Sequence, residues 1–115
     1  MSLFRAFLTT CLIVVTVYTA ITIAHHGADL LPVFFGDMVK LDWPGQFNLD
    51  FMTLLLLSGL WVAWRHQFSA NGLALGVLAV FGGMLFLSIY LLVHSVKTKG
   101  DMRALLLGEA RARQI

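Results

Sequence analysis

The chain is poor in charge. Its 115 residues include 8 Lys or Arg and 6 Asp or Glu, 12% in all, about half the share of roughly 25% that soluble domains carry. It has one cysteine, Cys11, which excludes an intrachain disulfide framework. No glycine-rich phosphate loop, HExxH pair or paired-cysteine metal motif occurs, so the common signatures of nucleotide and zinc chemistry are missing. A net charge of +2 is too small to argue for a nucleic-acid partner. Apolar residues are abundant instead, at 59%. A soluble fold this small leaves much of its surface exposed and could not bury that share. The excess needs lipid, and the chain reads as one integral membrane domain over residues 1–115.

Ala6 to Ala24 contains no formal charge and spans about 28 Å as a helix, close to the hydrocarbon thickness. A signal peptide is the competing reading, because Arg5 precedes the run. The run is long for a signal h-region, and no small-x-small cleavage site follows it. It is taken as a retained span, residues 6–25. Gly72 to Val93 is likewise free of charge and long enough to cross with some tilt, which gives a span at 72–94. Between them, Phe51 to Trp64 is too short to cross alone. A crossing there must take in residues 47–66, with Asp50 and Arg65 near its edges and Trp61 and Trp64 as interfacial anchors.

The connection from His25 to Asn48 is patterned. Leu31, Phe34, Phe35, Met38 and Leu41 recur at helical spacing, opposite Asp37 and Lys40. Asp29 suits an N-cap and Pro32 a first turn. Residues 29–41 are therefore predicted to form a short amphipathic helix in the headgroup plane. Trp43-Pro44-Gly45-Gln46 suits a type II turn, with Trp43 as a further interfacial anchor and Asn48 as the cap of the second span. Residues 97–115 form a charged tail with one apolar side. Three crossings would put the N-terminus and the Arg65 loop on one side, and the shelf and tail on the other. Six basic residues against two then favour a cytoplasmic tail, while the flanks of the first span favour a cytoplasmic N-terminus.

Gly72, Gly76, Ala79 and Gly83 share one face of the third span, and Gly59 and Ala63 form a matching pair on the second. Small residues at such spacing permit close helix packing, within the unit or with another subunit. Thr9, Thr16, Thr19 and Thr22 give the first span a polar stripe, read as hydroxyls bonded back to their own helix. On the three-span reading, His25, His26, Asp50 and His94 all lie at one membrane face. His and Asp suit a first-row divalent metal, and two histidines from opposed helices can ligate haem iron. An ionised Asp50 at the membrane edge needs a partner, and one of these histidines is the expected one. The bland reading is interfacial histidines bonded to headgroups and an aspartate favoured by the helix dipole.

Trp43-Pro44-Gly45-Gln46-Phe47-Asn48-Leu49-Asp50-Phe51 and Leu60-Trp61-Val62-Ala63-Trp64-Arg65-His66, with Gly82-Gly83-Met84, Tyr90-Leu91-Leu92 and the segment from Gly100-Asp101 to Leu107-Gly108, resemble a group of small bacterial three-span membrane proteins of unknown function. The resemblance covers most of the chain after Ala20. It implies a bacterial inner-membrane location and carries no activity.

The sequence therefore predicts an all-α membrane protein with three transmembrane helices and an interfacial helix between the first and second. With no catalytic constellation in view, a non-enzymatic role is expected, as an accessory or packing subunit beside other membrane subunits or a second copy of itself. A metal- or haem-binding protein is the alternative. A homo-oligomeric pore or transporter is third, and it lacks the charged mid-span residues a pore lining wants.

Overall fold

The computed structural model describes residues 1–114. The fold is all-helical: α1 (Ser2–His26), α2 (Leu30–Val39), α3 (Trp43–Arg65), α4 (Ala70–Lys97), α5 (Met102–Leu107) and α6 (Glu109–Ala112). Three of these, α1, α3 and α4, are long and apolar enough to cross a membrane, and the shorter apolar α2 lies between the first two.

The third span starts as expected, with Ser69 capping α4 by accepting from the Gly72 N–H. The second begins earlier than its apolar run suggests. Asp42 caps α3 by accepting from the Gly45 N–H, and Pro44 sits in the first turn, where its missing N–H costs nothing. The turn expected at Trp43–Gln46 is thus the opening of a helix. Asn48 is not a cap; its amide donates to the Phe34 carbonyl at 3.0 Å and ties α2 to α3.

α4 is not straight. Gly83 has φ 57° and ψ −142°, a conformation open to glycine alone. The side chains on either side of it show that the helix folds back there. Ala79, Tyr90 and Val62 share one buried cluster, with Leu75, Phe86 and Leu91 packed around it; a straight helix would hold Ala79 and Tyr90 about 16 Å apart. A Cβ on Gly82 would lie 2.5 Å from the Cβ of Phe86, a contact that regular helix geometry does not permit. The two limbs, residues 70–82 and 84–97, are each about 20 Å long. Neither limb alone spans a hydrocarbon core of about 30 Å.

The first limb runs antiparallel to α3 at backbone contact. A Cβ on Gly76 would meet the Gly59 carbonyl at 2.8 Å, and one on Gly59 would meet the Gly76 carbonyl at 2.8 Å. Further along, Gly72 faces Ala63, and Gly83 faces Phe51 and Leu55. The small residues of both helices therefore meet inside the chain. The second limb returns to the Arg65 end and packs against the first part of α1. There Arg5 donates from Nε to the Ser95 hydroxyl and from Nη2 to the Ser95 carbonyl, both at 3.0 Å, and Leu8 is fully buried.

α1 is about 37 Å long and α3 about 34 Å, more than the two short dimensions of the 48 × 27 × 23 Å molecule, so both lie along its long axis. This corrects the expected sidedness. The N-terminus, the 66–69 loop and the tail share one end, and α2 lies at the other. Seven of the 8 basic residues gather at the first end: Arg5, Arg65, Lys97, Lys99, Arg103, Arg111 and Arg113; only Lys40 is at the second. Beyond the hairpin tip, α1 and α3 have no substantial contact with each other among the described residues, which leaves a notch above Gly83.

Candidate functional site

The polar side chains that the fold gathers lie where α3 ends and the second limb of α4 arrives. Arg65 closes α3 with a side chain only 7% exposed. Its Nε donates to the Leu105 carbonyl at 2.6 Å, Nη2 to the Ala104 carbonyl at 3.2 Å and Nη1 to the Tyr90 hydroxyl at 3.2 Å. Ala104 and Leu105 belong to α5, a short helix of 6 residues. The Ala104 carbonyl also accepts from the Gly108 N–H at 2.9 Å, and the carbonyls after it carry the negative end of the peptide dipoles. The guanidinium therefore satisfies the end of α5 and clamps the tail onto α3. Two neighbours extend the clamp: Trp61 Nε1 donates to the Leu106 carbonyl at 3.0 Å, and Arg111 bonds the Trp64 carbonyl with its guanidinium 4.0 Å above the Trp64 ring. The two tryptophans expected as interfacial anchors thus also hold the tail, whereas Trp43, 72% exposed, stands at the opposite end.

Tyr90 joins this clamp to two imidazoles. Its hydroxyl accepts from Arg65 and lies 2.7 Å from His66 Nε2. One proton lies between the hydroxyl and Nε2, and the imidazole tautomer decides which of the two donates it. Burial, then the neighbouring Arg65 and Lys97 charges, hold the His66 pKa below its ordinary value near 6.5, which favours the neutral imidazole. His94 packs within the same group, its ring 4.3 Å from the Tyr90 ring and 5.7 Å from the His66 ring between centroids. Beside them opens a cavity of about 290 Å³ lined by Arg65, His66, His94, Lys97, Thr98, Gly108 and Glu109.

The set His25, His26, Asp50 and His94 is not brought together. His94 returns with the second limb to the Arg65 end, while His25 and His26 finish α1 at the other end. Asp50 lies within α3, about 22 Å along the helix from Arg65. Because α3 starts at Trp43, Asp50 is past its opening turn. It is exposed, and its carboxylate bonds to no histidine among the described residues. No group of three or more His, Cys, Asp or Glu residues is arranged to hold a metal ion among the described residues. The grouping expected from sequence fails for two reasons: the turn at Gly83 returns His94 to the Arg65 end, and the early start of α3 leaves Asp50 beyond its first turn. Arg65, His66, Tyr90 and Lys97, which do meet, were passed over because their proximity depends on the Gly83 turn. The adjacent glycines at the middle of a run otherwise suited to a span were the signal available.

No known protein family, curated protein or solved structure matches the chain. Its chemistry is therefore read from its own geometry. That geometry offers hydrogen-bond donors, the Tyr90 hydroxyl beside the His66 imidazole and a buried cation.

Proposed function

We propose that the chain is a non-enzymatic subunit of a bacterial inner-membrane assembly and docks to its neighbour through the notch above the α4 hairpin. The observation that carries this reading is the depth of the Gly83 turn. A limb of about 20 Å ends part-way through a hydrocarbon core of about 30 Å. Reversed backbone at such depth is tolerated where protein or a watered cavity covers it, since lipid tails satisfy no peptide group. Within the chain, Phe51 and Leu55 cover one side of Gly83. The neighbouring Phe81 is 79% exposed, and α1 and α3 leave the space above open. A helix from another subunit, or from a second copy, would fill it.

The seven basic residues at the tail end favour a cytoplasmic placement of that end. A photo-crosslinking residue at Phe81, activated in native membranes, tests the docking reading. The expected result is one discrete protein adduct whose partner also co-purifies in fixed ratio. Adducts with lipid alone, together with a monomer mass in mild detergent, would overturn it.

A further inference from the structure

The cavity at the Arg65 end is cationic, and its charges lack acidic partners. Arg65 is nine-tenths buried, and among the described residues no carboxylate lies within ion-pair distance of it. A guanidinium has five N–H donors. Three are spent on the Ala104 and Leu105 carbonyls and on Tyr90, which leaves two unassigned. Lys97, exposed at the cavity mouth, forms no ion pair among the described residues. The rings of His66 and His94 add further nitrogen atoms to the wall. The one carboxylate of the lining, Glu109, lies 3.9 Å from Arg113, one turn along its own helix.

A buried charge without a counter-ion is costly. The carbonyls at the end of α5 offset part of that cost for Arg65. The lining also draws on separate elements: Arg65 and His66 from the end of α3, His94 and Lys97 from the end of α4, and Glu109 from the tail. Donors converging from several elements suit a compact anion with several acceptor oxygens. The site lies at the end that carries seven of the 8 basic residues, where interfacial basic pockets meet anionic headgroups.

We infer that the cavity between Arg65, His66, His94 and Lys97 holds a phosphate group, with Lys97 at its mouth and Arg65 at its base. Two sources present this chemistry: the headgroup of an anionic phospholipid and a free phosphate. The full chain, purified in mild detergent, distinguishes them by native mass spectrometry with added phosphatidylglycerol, phosphatidylcholine or inorganic phosphate. Lys97→Gln is the diagnostic variant, because Lys97 is exposed and supports no contact of the fold. Lys40→Gln at the opposite end is the control.

Retained phosphatidylglycerol adducts, exceeding those of phosphatidylcholine and weakened about fivefold by Lys97→Gln but not by Lys40→Gln, support the site with a lipid source. Saturable inorganic phosphate binding that is weakened in the same way, without preference for phosphatidylglycerol, supports it with a free phosphate. Absence of saturable binding by any of the three probes overturns the inference. So does binding that Lys97→Gln leaves unchanged while circular dichroism shows the variant folded.

Discussion

The Tyr90 hydroxyl lies 2.7 Å from Nε2 of His66. The bond joins the end of α3 to a residue seven positions beyond Gly83, and a straight α4 would carry Tyr90 away from His66. Arg65, one residue earlier, bonds the same hydroxyl and the carbonyls of α5. The hairpin, the clamp on the tail and the cationic cavity thus depend on one another.

Gly83→Ala should destabilise the chain by about 1–3 kcal/mol, because an L side chain is strained at its backbone angles. Thermal unfolding in detergent checks this. Gly82→Ala should act in the same direction, since its Cβ would collide with that of Phe86. Wild-type melting of both variants would show that α4 runs straight.

Gly76→Leu should cost on the order of 1–3 kcal/mol by overpacking, because Gly76 crosses Gly59 at backbone contact. Leu is expected to be tolerated at Gly36, where nothing lies within 4 Å of a Cβ. Equal melting temperatures for the two variants would contradict the contact.

Burial of His66 beside the Arg65 and Lys97 charges makes stability depend on pH. His66 has its folded pKa below the ordinary 6.5, so the unfolded chain binds more protons between the two values. Stability is then fully present above about pH 6.5 and is lost as pH falls from there toward the folded pKa. Melting curves from pH 8 to about pH 5 should show the decline, and His66→Gln should flatten the part of it that His66 contributes. A wild-type profile unchanged by His66→Gln would mean that folding does not depress the His66 pKa.

Ser88 is fully buried, and its hydroxyl has no hydrogen-bond partner among the described residues. Ser88→Ala removes an unsatisfied group and should be neutral or stabilising by up to about 1 kcal/mol. A clear loss of stability would show that the hydroxyl is bonded in the membrane.

The helices themselves are legible in the sequence. The uncharged run from Ala6 to Ala24 specifies α1, and the apolar spacing from Leu31 to Met38 specifies α2. The start of α3 was obscured because Trp43-Pro44-Gly45 suits either a turn or a capped first helical turn. Asp42, bonded to the Gly45 N–H, decides for the helix. The sidedness of α4 was hidden for a different reason. Hydropathy sums over a run and is blind to reversal, so Gly72 to Val93 reads the same as one crossing or as two limbs. The conflict between the basic flank of the first span and the basic tail was the visible trace of that reversal. Once α4 folds at Gly83, both basic segments lie at one end and the conflict disappears. His94 was accordingly grouped with His25, His26 and Asp50, when its companions are His66 and Tyr90.

Cysteine accessibility tests the hairpin most directly. In a Cys11→Ser background, single cysteines at Ser2, Gln67, Lys99 and Gly36 are labelled in sealed membrane vesicles with an impermeant maleimide. Ser2, Gln67 and Lys99 should label from one side, the cytoplasmic one, and Gly36 from the other. Labelling of Lys99 together with Gly36, opposite Gln67, would mean that α4 crosses the membrane, and the hairpin account would be wrong.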